Sequence, residues 1–191
     1  KILKVKLGRE EAEDKRMINL IRSISDKPIY VDANQGWLTQ EHALKMCQWL
    51  AEQGVVLIEQ PMPKHMNEEH RWLCEQVELP IIADEACQTY DDVAALQPYY
   101  DGINIKLMKC GGVAEGRKMI TLARELGMQV MIGCMTETSA GISAATTLSA
   151  LVDYADLDGH VLLGNDPYEG IQIVDGKLTL VDKPGTGVSL R

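Results

Sequence analysis

No run of about 18 apolar residues occurs anywhere in the chain, so no segment has the make-up of a membrane-spanning helix. Positive charge is scarce. Nineteen Lys and Arg stand against 28 Asp and Glu, and the net charge of -9 repels nucleic-acid phosphates while suiting a metal cation or a cationic substrate group. The five cysteines (Cys47, Cys74, Cys87, Cys110, Cys134) include no CxxC pair. Neither a disulfide framework nor a zinc-cysteine site is suggested, and a reducing, cytoplasmic setting is the plain reading. The four histidines (His42, His65, His70, His160) show no metal-ligand spacing and read as surface or loop residues. Low-complexity tracts and linkers are missing as well. What remains is 191 residues, 46% of them apolar and 25% charged, enough for one domain with a sizeable core.

Short apolar runs mark candidate parallel strands at 2–7, 28–32, 55–60, 80–84, 102–107, 129–134 and 154–158. Helical patterns lie between them at 10–25, 39–53, 67–78, 91–97, 114–127 and 139–152. In the first, Ala12, Met17, Ile18, Leu20, Ile21 and Ile24 fall mainly on one face. In the second, Ala43, Leu44, Met46, Cys47 and Leu50 do so behind a Thr39 N-cap. Strand and helix alternate roughly every 25 residues, the rhythm of βα units around a parallel sheet. A doubly wound sheet would carry a Gly-rich phosphate loop after its first strand, and "KLGREEAED" is acidic instead. The expectation is an α/β fold of the TIM-type (β/α) barrel class, one strand short of eight. After residue 164, "GIQIVDGKLTLV" predicts a hairpin about Asp175-Gly176, and the last ten residues trail off.

Every candidate strand with an ionisable residue carries it near its C-terminal end: Lys4 and Lys6, Asp32, Glu59, Asp84, Lys106, Asp156 and Asp158. In a βα barrel those ends converge. Asp32, Glu59 and Asp84 would repel one another in a partly buried cleft and call for a cation. Oxygen-only ligands, without His or Cys, point to Mg²⁺, with Mn²⁺ as a substitute. Taken singly, each is also an acidic residue opening a βα loop. Lys6 and Lys106, on strands four units apart, are expected on opposite walls of such a cleft. An ammonium beside a divalent cation and another ammonium is the less favoured form, so a lysine so placed becomes a base. With a metal holding a substrate carboxylate, one lysine would take an α-proton from one face and the other return it to the opposite face through an enediolate. Lys4 shares a face with Lys6 by strand alternation, so it orients that base, contacts the substrate carboxylate or depresses the basicity of Lys6.

"KVK" at 4–6, "DAN" at 32–34, "EQP" at 59–61, "ADE" at 83–85 and "NIKLMKCGG" at 104–112 resemble the enolase superfamily, muconate lactonizing enzyme subgroup, over nearly the whole chain. The resemblance implies that Lys6 and Lys106 are paired acid/base lysines, that Asp32, Glu59 and Asp84 bind Mg²⁺, and that Asn34 and Glu85 are their hydrogen-bonding supports. Within the subgroup, "DLD" at 156–158 resembles the motif by which dipeptide epimerases hold the substrate's α-ammonium. Asp156 and Asp158, pointing the same way from a strand, would form an anionic clamp for a free amine. "IGCMTETSAG" at 132–141 resembles that group's seventh-strand loop, where Cys134, Met135 or Glu137 would line the pocket. The implied substrate is a small dipeptide of the L-Ala-D/L-Glu type.

The resemblance also implies an N-terminal α+β capping domain and a first barrel strand that are not among these residues. The expectation is therefore a piece of a longer protein: a partial barrel over 1–164 holding strands two to eight, and a hairpin and tail over 165–191 returning toward the capping domain. Alone it would be poorly stable and nearly inactive, and the full-length protein is expected to be a homo-oligomer without nucleic-acid or membrane partners. Other readings keep parts of the same constellation. They are an N-acylamino acid racemase, an o-succinylbenzoate synthase, a cycloisomerase, a class I aldolase with a Schiff base on Lys106, and a noncatalytic binding protein on an inherited barrel.

Overall fold

In the computed structural model, which describes residues 2–191, the chain forms two compact units. One comprises the residues up to Cys87 with Ala95–Gly102, the other Gln88–Ala94 with Ile103–Arg191. The first unit is built of β1 (Leu3–Lys6), α1 (Glu11–Ile24), β2 (Ile29–Asp32), α2 (Gln40–Glu52), β3 (Val55–Glu59), α3 (Asn67–Gln76) and β4 (Ile81–Ala83). Its strands are parallel and paired in chain order, β1-β2-β3-β4. Ile29, Val31, Leu57, Ile58, Ile81 and Ile82 are all fully buried, as in a sheet covered on both faces. Register places Lys6 opposite Asp32 and Asp32 opposite Glu59, so these three side chains form a transverse row on one face.

The helices follow from their stripes with one exception. Thr39 caps α2 by accepting a hydrogen bond from the His42 N–H at 3.2 Å, and Ala43, Met46, Cys47 and Leu50 are buried beneath it. In α1, by contrast, only Asp14 and Ile18 are buried, while Met17, Leu20 and Ile24 are exposed. The apolar stripe of α1 is wider than the surface the helix covers in this unit. The loops after β1 and β2 are locked by glycines. A Cβ on Gly8, at φ +88, would stand 2.0 Å from the Ala33 carbonyl, and one on Gly36 would stand 2.0 Å from the Gly8 carbonyl.

The second unit holds β5 (Gly102–Lys106, all but its first residue), α5 (Leu107–Cys110), α6 (Val113–Glu125), β6 (Gln129–Gly133), α7 (Ser139–Thr146) and β7 (Tyr154–Ala155), with strands again in chain order. α4 (Tyr90–Leu96) contributes residues to both units. The one-turn α5 has no apolar periodicity to announce it in the sequence. It begins directly after Lys106 and ends at Gly111, which has φ 92 and donates its N–H to the Leu107 carbonyl at 3.0 Å, a left-handed helix stop for which glycine is suited. The expected helix over 139–152 is instead α7 followed by a 3₁₀ turn at Ser149–Leu151.

Two antiparallel pairs follow. β9 (Gln172–Val174) and β10 (Lys177–Thr179) form the expected hairpin, its turn residues Asp175 and Gly176 both at positive φ, 53 and 68, as a two-residue primed turn requires. The tail does not trail off: β11 (Ser189–Leu190) pairs with β8 (Tyr168–Glu169). Among the described residues no helix is long and apolar enough to cross a membrane.

Candidate active site

In the first unit, three carboxylates meet. Asp32 ends β2, Glu59 ends β3 and Asp84 follows β4 by one residue; all are buried, and one oxygen from each lies within 4.8 Å of the others. Period two explains the convergence, since Glu59 is in register with Ile82 and Asp84 is two residues beyond it. Burial pushes the Glu59 carboxyl up to about 7; the Lys4 ammonium works against this, and Asp32 and Asp84 add repulsion.

Two ammonium groups border the cluster. Lys4 Nζ lies 2.7 Å from Glu59 Oε2 and 3.7 Å from Asp32 Oδ2. Lys6 Nζ donates to Asp32 Oδ2 and to Asn34 Oδ1, both at 2.9 Å, from a side chain that is 68% exposed. Both ammonium groups are thus engaged with the carboxylates, Lys4 from a largely buried side chain and Lys6 from an exposed one. Asn34 folds back to the same group, its N–H donating to Asp32 Oδ1 at 3.0 Å and its amide to Glu85 Oε1 at 3.3 Å. Its φ of 43 belongs to the left-handed region that asparagine tolerates better than most residues. The cluster is an all-oxygen donor set of three buried acids in mutual repulsion, which fits a small hard cation such as Mg²⁺.

No sequence rule singles out Gln60 as a functional residue. It is fully buried, has φ 38, and its side-chain amide contacts Asp84, Ala86, Met62 and Tyr100. The available signal was a large polar residue wedged between a strand-end acid and a proline. His70, expected from the sequence at the surface or in a loop, is instead buried in α3. Its Nδ1 lies 2.7 Å from the Met66 carbonyl, and its ring centroid lies 4.5 Å from that of Tyr100. His65 is exposed, and His42 and His160 are half-buried.

In the second unit, Lys106 ends β5 and is buried, 6% exposed. Fully buried Asn104, on the same strand, lies across β6, where a Cβ on Gly133 would stand 2.7 Å from its Oδ1. Cys134, Met135, Asp156 and Asp158 form a second group. A Cβ on Gly159 would meet the Met135 carbonyl at 2.0 Å and Cys134 Sγ at 3.0 Å, so the 156–159 turn lies against 134–135. Burial pushes the Cys134 thiol up to about 11, with Asp156, Asp158 and Glu137 adding to the shift. Glu137 also accepts the Met135 N–H at 3.0 Å. Asp156 and Asp158 do not share a strand, contrary to expectation. β7 stops at Ala155; the Asp156 N–H still bonds the Ile132 carbonyl at 2.9 Å, but at Asp158 the chain turns, with φ -103 and ψ 4, into the 3₁₀ segment Gly159–Leu162. The turn, and not a shared strand face, sets where Asp158 stands.

The sequence model of the family described as enolase C-terminal domain-like matches residues 1–191. The chain is 57% identical to an L-Ala-D/L-Glu epimerase of Bacteroides thetaiotaomicron over 98% of its own length and 48% of that protein's. It is 42% identical to an L-Ala-D/L-amino acid epimerase of Pedosphaera parvula, over 96% and 53%. Among solved structures, a dipeptide epimerase from Enterococcus faecalis complexed with Mg and L-Leu-L-Tyr superposes with a TM-score of 0.90 at 36% identity, over 98% of this chain and 56% of that one. The chain therefore spans about half the length of the curated relatives it matches.

Proposed function

The chain belongs to the enolase C-terminal domain-like family, with an incomplete (β/α)-barrel fold, and on that basis we propose that the protein containing it is a Mg²⁺-dependent dipeptide epimerase, an isomerase that inverts the α-carbon of the C-terminal residue. L-Ala-D/L-Glu or a related dipeptide is the proposed substrate. The observation that carries the reading is the cluster of Asp32, Glu59 and Asp84, buried and within 4.8 Å, with the Lys4 and Lys6 ammonium groups beside it. A purely structural cluster has no need of three repelling acids on successive strands.

In this reading Asp32, Glu59 and Asp84 hold the metal. Bound Mg²⁺ would supply positive charge against the substrate carboxylate as its α-carbon loses a proton. Lys6 and Lys106 carry the proton transfers. One, as the free amine, takes the α-proton and becomes an ammonium, leaving the substrate an enediolate; the other, as an ammonium, gives a proton back to the same carbon and becomes the amine. Asn34 holds Lys6 by its amide oxygen and Glu85 holds Asn34, so the pair orients the base. Lys4 offsets the charge of Glu59. Asp156 and Asp158 would receive the substrate's free α-ammonium, and Cys134 and Met135, packed against their turn, would line the pocket.

The dipeptide reading is preferred over an N-acylamino acid racemase because the relatives at 57% and 42% identity are dipeptide-type epimerases, and because a free amine gives the acidic pair near Cys134 a purpose. The test is a dipeptide library assayed for epimerisation by the full-length protein, with and without Mg²⁺. Inversion of dipeptides but not of N-acylamino acids is expected. Activity confined to N-acylated substrates would overturn the substrate assignment.

A further inference from the structure

The Gln60 amide has two N–H donors and two acceptor sites, and all four are occupied. Nε2 donates to the Met62 carbonyl at 3.2 Å and to Tyr100 Oη at 3.0 Å. Oε1 accepts the Asp84 N–H at 3.0 Å and the Ala86 N–H at 3.1 Å. Its backbone is equally engaged, the N–H donating to the Ile82 carbonyl at 2.9 Å and the carbonyl accepting the Gln35 N–H at 2.8 Å. Gln60 thus follows Glu59 in the chain, holds the backbone of Asp84 through its side chain, and holds the loop after Asp32 through its carbonyl. One residue joins the three segments that carry the three acids.

We propose that Gln60 is a positioning residue that fixes the separation of Asp32, Glu59 and Asp84 in advance of cation binding; this rests on the reading of those acids as a Mg²⁺ site. Three carboxylates in mutual repulsion drift apart unless their backbones are held. A buried amide with every group satisfied resists that drift, since any displacement leaves a polar group unpaired away from water. Glutamate at this place would lack both N–H donors, and asparagine would be a methylene too short to keep the same four partners. The residue also sits at φ 38, a conformation unfavourable for a side-chain-bearing residue. That conformation is held here by what the side chain binds, which separates this role from that of a turn residue.

The test is the Mg²⁺ dissociation constant of the full-length protein by titration calorimetry, with unfolding of the metal-free protein followed in parallel. Gln60→Gly relieves the backbone but deletes the amide, and Gln60→Met keeps the length but deletes the polar groups. Both are expected to weaken Mg²⁺ binding about tenfold or more, the usual effect of removing a hydrogen-bonding support behind a metal ligand. Tyr100→Phe removes one of the four partners and is expected to weaken binding by about threefold while leaving the fold intact; it carries the test if the Gln60 variants do not fold. Mg²⁺ affinity within twofold of the parent in Gln60→Gly, or, failing its folding, in Tyr100→Phe, overturns the proposal. A parent that binds no Mg²⁺ overturns instead the reading on which it rests.

Discussion

Lys4 Nζ lies 2.7 Å from Glu59 Oε2, and this ion pair sits where Glu59 is fully buried beside two more acids. The pair does not hold Glu59 in the ordinary carboxylate range: burial prevails, and the group titrates near 7 in the metal-free fold. A carboxyl raised from about 4.5 to about 7 binds its proton more tightly folded than unfolded. Its contribution to stability is full below pH 4.5 and is lost as pH rises toward 7. The loss is on the order of 3 kcal/mol for the metal-free protein. Glu59→Gln should remove it, so that chemical denaturation in EDTA shows the variant gaining on the parent between pH 4.5 and 7. A constant difference across that window would contradict the assignment.

The same acids should decide metal affinity in the opposite sense. Glu59→Gln and Asp84→Asn, each altering a proposed ligand instead of a support behind one, are expected to weaken Mg²⁺ binding by more than about a hundredfold, as read by calorimetry. Glu59→Gln would then stabilise the metal-free protein above pH 7 and disable the metal-bound one, a trade expected at a functional site.

Gly8 and Gly36 leave no room for a side chain between the loops that follow Lys6 and Asp32. Gly8→Ala and Gly36→Ala are each expected to cost about 2 to 3 kcal/mol by denaturant melts. Gly111, at φ 92, has open space around its Cβ position. Gly111→Ala should cost only the backbone preference, about 1 kcal/mol.

His70 is expected to set an acid limit. Burial pulls it down to about 4, so the folded protein resists a proton that the unfolded chain accepts near 6.5. The stability this group contributes is present above pH 6.5 and is lost as pH falls toward 4, about 2 kcal/mol of it by pH 5. His70→Phe, which keeps an aromatic ring beside Tyr100 and cannot titrate, should lose less stability than the parent between pH 7 and pH 5. Because Glu59 acts in the opposite direction over much of this range, the comparison is between variant and parent at each pH.

Strands and acids were legible because they obey short rules. Period two with strand-end placement puts Lys6, Asp32 and Glu59 in one row, and the register bears that out. The motif resemblance likewise brought Asn34 and Glu85 into view, and Asn34 does contact both Lys6 and Glu85. What stayed hidden depends on partners distant in the chain. Nothing local distinguishes buried His70 from a surface histidine in a helix rich in charge. Gln60 acquires its place from Tyr100 and Asp84, far along the sequence. The exposure of Leu20 and Ile24 in α1 shows the converse, since an apolar stripe states what a helix is able to bury and leaves open what covers it. At Asp158 a backbone turn replaced the expected strand, because β7 ends where its pairing to β6 ends.

Solvent deuterium followed into the α-carbon of the C-terminal residue of L-Ala-L-Glu and L-Ala-D-Glu, incubated in D₂O with the full-length protein, tests whether the acids and lysines together invert a dipeptide. Exchange is expected from both epimers, requiring Mg²⁺ and stopping in EDTA. Lys6→Ala and Lys106→Ala should each abolish epimerisation yet retain exchange with one epimer, a different one in each variant. Exchange that persists in EDTA, or that neither substitution affects, would contradict the proposed mechanism.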